Sequence, residues 1–300
     1  MNQAVIDIGS NSMRLTVYDV KNQAFTILFK EKIMAGLAGY VENGYLSSEG
    51  MICACKGLLE FKSALEALGI TDTVVFATAS LRNIRNTDEV VKAIQTTTGY
   101  NVEVIEGEEE ALYGYVGAMH DLSISEGVFL DIGGASTEIA MFSGGKLGTT
   151  ASFPMGSLQL YRECVKHILP GKGSVHRIQR VIRKETDLFP FPEEELPSTL
   201  ACVGGTARAT LKLVQKMFAL PDSCRCITAD QLTRLCDVLC AADKNASDLI
   251  LKLVPERIHT MVPGLLILQY LMEQFHASEI VVSQYGVREG YLCRKILKKK

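Results

Sequence analysis

The sequence predicts an α/β protein of two domains, each a mixed sheet flanked by helices. Three observations lead there. The first is an internal repeat: AVIDIGSNSMRLTVYDV (residues 4–20) aligns without gaps on VFLDIGGASTEIAMFSG (residues 128–144) at an offset of 124, which brings Asp7 onto Asp131, Gly9 onto Gly133 and Ser12 onto Ser136. The second is element order. Each half opens with strands in hairpin succession, which pair antiparallel, and continues with helices and strands in alternation, which pair parallel. The third is bulk: 300 residues with 47% hydrophobic and 22% charged side chains suffice for two cored domains.

In the first half, residues 3–8, 14–20 and 25–33 read as strands. A helix over 47–68 follows from the spacing of Met51, Leu58, Leu59, Leu65 and Leu68, a Ser-Ser-Glu start and Gly69 at its stop. TVVFA (73–77) is a buried strand. Thr87 is expected to cap a helix over 88–97, and a strand at 102–105 leads to an acidic-start helix over 108–119. The second half repeats the opening with strands at 127–132, 137–142 and 149–153. Helices follow at 157–167 and 175–187, then a proline-rich acidic loop at 190–198. A strand at 200–203 opens into a helix ending near 218. Helices at 229–239, 246–253 and 261–273, a strand at 279–282 and a helix at 287–297 complete the chain, with Lys298–Lys300 a solvated tail. The expected domains are 1–121 and 122–300, divided at the loop 120–127, with the C-terminal helix 287–300 packing back on the first domain.

A net charge of -3 and a pI near 6.0 speak against a broadly basic nucleic-acid binder. The nine cysteines include no C-x-x-C pair, and the C-x-C pairs at 53/55 and 224/226 have no histidine at ligand spacing, so reduced thiols are expected. The N-terminus enters a strand without a basic-then-apolar leader, and no apolar run approaches membrane-spanning length. The expected compartment is the cytoplasm, with no membrane and no nucleic acid among the partners; a homodimer is allowed for.

The two glycine turns carry the chemistry. Glycine lets a ligand approach the backbone, and successive N–H groups form an anion-binding concavity. Ser10, Asn11 and Ser12 in one turn, and Gly133, Gly134 and Ser136 in the other, are candidate phosphate binders. Asp7 and Asp131, just before the turns, would repel a bare phosphate but attract Mg²⁺ or Mn²⁺ carried with it. The plain alternative for one such stretch is a hairpin with a polar turn; two matching copies argue against it. Gly204, Gly205 and Thr206, at a strand end opening a helix, form a third anion site, and Arg82, after the strand 73–77, offers a forked donor. Glu106, Glu108, Glu109 and Glu110 start a helix. Acids there stabilise the helix dipole, but one could also accept a proton from water; position alone does not choose among the four.

At these residues the sequence resembles the exopolyphosphatase/guanosine pentaphosphate phosphohydrolase (Ppx/GppA) family of the actin–hexokinase–Hsp70 superfamily. The resemblance rests on IDIGSNSMRL, ATASLRN, IEGEEEA, LDIGGASTEI, VGGTARA and YGVREG, in that order along nearly the whole chain. It implies two ribonuclease H-like (actin-like ATPase) domains with the active site in an interdomain cleft. It further implies metal-dependent release of terminal phosphate from inorganic polyphosphate, or of the 5′-phosphate of guanosine pentaphosphate. By the same resemblance Glu110 activates water, Asp131 and Glu138 lie near the metal, and Arg82 and Ser136 contact phosphate. Asp131 and Glu138, on a turn and the strand after it, need not share a face. Ala135 stands where the family usually has a third glycine, and the expectation is a chain like the short, two-domain members, without the long C-terminal helical extension of larger relatives. The alternative reading is a guanosine tetra- or pentaphosphate sensor with little turnover. A kinase of the superfamily would need an adenine pocket, and in an actin-like filament the EEA stretch has no purpose.

Overall fold

The computed structural model describes residues 1–191 and 199–298. Most of the acidic loop expected at 190–198 lies outside them, as do Lys299 and Lys300 of the tail. The chain separates into two compact units, residues 1–110 with 291–300, and residues 111–290.

In the first unit, β1 (Asn2–Ile8), β2 (Met13–Lys21) and β3 (Ala24–Ile33) form an antiparallel meander. A 3₁₀ turn (Leu37–Tyr40) and a small hairpin, β4 (Val41–Glu42) with β5 (Tyr45–Leu46), come next. They are too short to leave a periodic signal in the sequence. Helix α1 (Ser48–Ala67) is capped by Ser47, whose side chain accepts the Gly50 N–H. Then β6 (Thr73–Ala77), the one-turn helix α2 (Ala79–Arg82), α3 (Thr87–Thr98) and β7 (Val102–Val104) lead into α4 (Gly107–Asp121). The sheet order is β3-β2-β1-β6-β7, with β6 parallel to β1 and to β7. Its core joins Ile6, Ile8, Leu15 and Val17 to Leu58, Phe61 and Leu65 of α1 and Ile94 of α3.

Thr87 does not cap α3 as expected. Asn86 holds the cap position, and the Thr87 hydroxyl donates to the Leu81 and Ile84 carbonyls instead, closing the preceding turn.

In the second unit, β8 (Glu126–Ile132), β9 (Thr137–Ser143) and β10 (Lys146–Phe153) repeat the meander. Helices α5 (Ser157–Cys164) and α6 (Lys172–Thr186), strand β11 (Thr199–Val203) and α7 (Gly204–Met217) follow. After them come β12 (Cys226–Thr228), α8 (Ala229–Cys240), α9 (Lys244–Leu253), α10 (Met261–Gln274), β13 (Glu279–Val282) and α11 (Val287–Tyr291). The order is β10-β9-β8-β11-β13-β12, with β11 parallel to β8 and β13. Strand β12, three residues long, was not anticipated. It pairs antiparallel at the sheet edge. Helix α10 is buried nearly all round, which matches its lack of a polar face.

The division of the chain falls inside α4, before the loop 120–127 where sequence placed it. The body of α4 packs within the second unit at backbone contact: a side chain at Gly117 would meet the Gly286 carbonyl, and one at Gly290 would meet that of Tyr113. Tyr115 and Ala118 join Phe129, Ala140 and Phe142 in a cluster. The C-terminal segment from Tyr291 belongs to the first unit. The Tyr291 ring stacks on Phe76 at 4.8 Å, and its hydroxyl donates to Glu103 at 2.6 Å. The helix expected over 287–297 changes to a π-helix at Leu292–Ile296.

Asp121 closes the second unit's end of α4. Its carboxylate accepts hydrogen bonds from the Arg225 guanidinium, from the Ser283 hydroxyl at 2.8 Å and from the Gln284 N–H at 2.8 Å. Burial raises the Asp121 carboxyl, but these donors together outweigh it and hold it below the ordinary carboxylate range. A carboxyl lowered on folding stabilises above its unfolded value and loses that contribution as pH falls through its folded one. Asp121→Asn should therefore cost about 1–3 kcal/mol at pH 7. In urea melts across pH, the gap to wild type should close below about 3.8, the ordinary aspartate value. A gap that persists at pH 2 would assign the loss to shape rather than charge.

Candidate active site

The two glycine turns close alike. In the first unit the Gly9 N–H donates to the Ser12 carbonyl at 3.2 Å; in the second, Gly133 donates to Ser136 at 2.9 Å. Each turn is then fastened from outside. The Ser10 and Asn11 carbonyls accept the Ala38 and Gly36 N–H groups. The Gly133 and Gly134 carbonyls accept N–H groups from the first residues of α5: Ser157 to Gly133, Leu158 and Gln159 to Gly134. The Ser157 hydroxyl also donates to the Gly133 carbonyl at 3.0 Å. With the carbonyls occupied behind it, each turn keeps a fixed backbone. Ser10, Ser12 and Ser136 are buried, while Asn11, Gly133, Gly134 and Ala135 remain partly open.

Identical turns carry different charges beside them. Asp131 and Glu138 are direct cross-strand partners between β8 and β9. They therefore share a face, an outcome left open by their spacing, with Cβ atoms about 5 Å apart. The equivalent partners in the first unit are Asp7 and Arg14. Where one copy sets acid against base, the other sets acid against acid. Glu138 is buried, and its Oε1 accepts the Ser152 hydroxyl from β10 at 2.9 Å. Among the described residues no group of three or more His, Cys, Asp or Glu side chains could hold a metal. The Asp131–Glu138 pair is the kind of donor set that would suit Mg²⁺, an ion that takes one or two carboxylates and completes its shell with water and substrate phosphate. Asp7, also expected near the metal, has the Arg14 cation as its strand neighbour.

Strand β11 ends beside β8, with Val203 opposite Asp131. Gly204 then turns the chain into α7 with φ +82°, and its Cα lies against the Asp131 carboxylate, leaving no room for a side chain. The helix start brings N–H groups and the positive end of the dipole to that carboxylate. The Thr206 hydroxyl donates to the Ile132 carbonyl at 3.1 Å, so it braces the strand end. Gly205 is covered by the Arg257 guanidinium. Sequence reasoning missed Arg257. It ends the 3₁₀ turn Pro255–Arg257, and nothing local marks it as reaching back to the start of α7.

The four glutamates at the start of α4 separate clearly. Glu106 and Glu108 are exposed, and Glu109 accepts the Glu106 N–H at 3.3 Å, one half of a capping box. Glu110 alone is buried. Its Oε2 accepts from the Arg82 Nη1 at 2.8 Å, and the same nitrogen donates to the Ile105 carbonyl at 2.9 Å. Arg82, expected at a phosphate, is here the counter-ion that orients Glu110. It is placed by α2, which Ser80 anchors through a hydroxyl bond to the Ile8 carbonyl beside the first glycine turn.

A glycine turn between antiparallel strands, repeated in two sheets that each continue with parallel strands, defines the class: a protein of the actin-like ATPase fold. A solved exopolyphosphatase from Cytophaga hutchinsonii superposes with a TM-score of 0.87 at 20% identity, covering 100% of this chain and 99% of that one. A putative exopolyphosphatase from Haemophilus influenzae is 27% identical over 294 residues, 96% of this chain and 90% of the relative. A guanosine-5′-triphosphate,3′-diphosphate pyrophosphatase from Aliivibrio fischeri is 29% identical over 301 residues, 97% of this chain but 58% of the longer relative. The model of the Ppx/GppA phosphatase family matches residues 16–299. The chain belongs to that family.

Gly204→Ala tests the packing at Asp131. The new methyl meets both a positive φ and the carboxylate, so we expect a loss of about 1–3 kcal/mol in thermal or urea unfolding. Unchanged stability would show that α7 shifts freely at its first residue.

Proposed function

We propose that the protein is a metal-dependent hydrolase that releases terminal phosphate from inorganic polyphosphate, the 5′-phosphate of guanosine pentaphosphate, or both. The observation that carries the reading is Glu110: one acid of four is buried, and an arginine fixes its orientation. A helix needs no such arrangement for its dipole. A base that must take a proton from one particular water does. The names of the relatives from Haemophilus influenzae and Aliivibrio fischeri support the substrate class.

In this reading the Gly133–Ser136 turn binds phosphate oxygens through backbone N–H groups and the Ser136 hydroxyl, and the Gly9–Ser12 turn does the same. Arg257 and the start of α7 add positive charge for a polyanion. Asp131 and Glu138 would hold Mg²⁺ or Mn²⁺, which when bound supplies charge to the phosphate oxygens. Arg82 holds the Glu110 carboxylate in one orientation, so that it accepts the proton of the attacking water.

Phosphate release from tripolyphosphate, long-chain polyphosphate and guanosine pentaphosphate, side by side, tests the reading. Glu110→Gln is nearly isosteric. It should bind substrate normally and lose ~10²–10⁴ in turnover, while Glu108→Gln changes little. Arg82→Lys keeps the charge without the fork and should lose ~10- to 100-fold, about 1.4–2.7 kcal/mol. Wild-type rates in Glu110→Gln would remove the base from this mechanism. Tight binding of guanosine pentaphosphate without phosphate release from any substrate would make the protein a sensor.

The metal is tested separately. Chelation should abolish activity, and Mg²⁺ should restore it. Asp131→Asn should need a higher Mg²⁺ concentration for half-maximal rate and recover in part at high Mg²⁺. An unaltered Mg²⁺ dependence would count against Asp131 as a ligand.

A further inference from the structure

Helix α6 and the end of α5 concentrate positive charge in an acidic protein. Residues 162–187 hold seven Lys and Arg against three Asp and Glu, while the chain as a whole carries -3. The cations have a common direction. Ser174, Ile178, Ile182 and Thr186 are buried at four-residue spacing, which fixes one side of α6 in the core. Lys172, Arg180, Arg183 and Lys184 are exposed on the other side, a row ~18 Å long at the helical rise. Lys172, Arg180 and Arg183 form no ion pair among the described residues, and Lys184 meets only Glu185 at 3.7 Å.

The row is built onto the frame of the second glycine turn. The first N–H groups of α5 bind the Gly133 and Gly134 carbonyls. Helix α5 runs ~12 Å from there, and at its end the Cys164 carbonyl accepts two bonds from the Arg177 guanidinium of α6, at 2.8 and 3.1 Å. Turn, α5 and α6 are thus tied in series within one unit.

We propose that the exposed face of α6 binds the distal part of a long inorganic polyphosphate chain. The inference rests on the hydrolase reading and adds to it a second contact that short substrates do not reach. Charge complementarity selects the ligand. A polyphosphate is charged at every repeat and has no apolar part, and the face offers these cations with the exposed His176 as its one ring and no exposed aliphatic side chain between Lys172 and Lys184. Single-stranded RNA would call for a succession of stacking rings, and this face has His176 alone. A bilayer would call for apolar side chains on it, and those of α6 are in the core. Exposed Ile168 and Leu188 lie beyond the two ends of the helix.

The test is Arg180→Glu with Arg183→Glu in the full chain, folding being checked by circular dichroism and Tm. Arg180→Gln with Lys184→Gln replaces it where charge reversal prevents folding. Phosphate release is measured on tripolyphosphate and long-chain polyphosphate, and binding of the long chain by calorimetry at two salt concentrations. KM and Kd for the long chain should rise ~10-fold or more, with kcat/KM on tripolyphosphate unchanged. The slope of log Kd against log salt should fall by about 2 in the double glutamate variant. Unchanged long-chain binding, or an equal loss on both substrates, overturns the proposal. Should the wild type release phosphate from neither substrate, the hydrolase reading fails, and the binding measurement still decides whether α6 holds the polymer. RNA and phosphatidylglycerol vesicles enter the same binding assay; tighter binding of either one, lost in the variant, also overturns it.

Discussion

Two carboxylates held on adjacent strands, facing the same way, set the terms for the second unit. The register of β8 and β9 leaves Asp131 and Glu138 no choice of partner. Much nearby structure bears on that pair. Ser152 donates to Glu138, and Gly204 brings the start of α7 against Asp131 with a backbone that only glycine adopts easily. The charge of Asp131 also reaches Cys202 on β11, whose thiol is pushed up by burial and then by that carboxylate. The thiol is consequently inert, and the strand acts as a packed support rather than a reactive element.

The first unit uses the same turn for a different purpose. Its row across the strands runs Asp7, Arg14 and Lys32, an acid followed by two bases. The fold has been kept and the electrostatics inverted. A duplicated β-turn-β module can diverge in this way because the turn is held by backbone hydrogen bonds, Gly9 to Ser12 and Gly133 to Ser136. The side chains on the strands beyond are then free to change sign without loosening it.

Glu110 shows how burial and pairing select one residue from a uniform stretch. Four acids within five positions look equivalent along the chain. Helix geometry separates them: one caps, two face solvent and one turns inward to Arg82. The inward position would be unfavourable for a lone carboxylate, and Arg82 offsets the cost. Arg82 in turn depends on α2, a single turn of helix anchored on the end of β1.

The order of strands and helices, the duplication and both glycine turns were legible in the sequence, because strand alternation, helical spacing and turn residues are local signals. Short elements such as β12 and the β4–β5 hairpin were not, because two or three residues carry no period. Nor was the break in the chain within α4. That break follows from Gly117 and Gly290 meeting backbone across a long sequence separation, and from Tyr291 stacking on Phe76. Likewise, only tertiary structure set Asp131 opposite Glu138, Arg82 on Glu110 and Arg257 over Gly205. The sequence by itself determined which groups this protein has and the turns that present them. Which charges stand together was decided by register and packing, because a side chain's electrostatic partner is chosen in space and leaves no trace in local spacing.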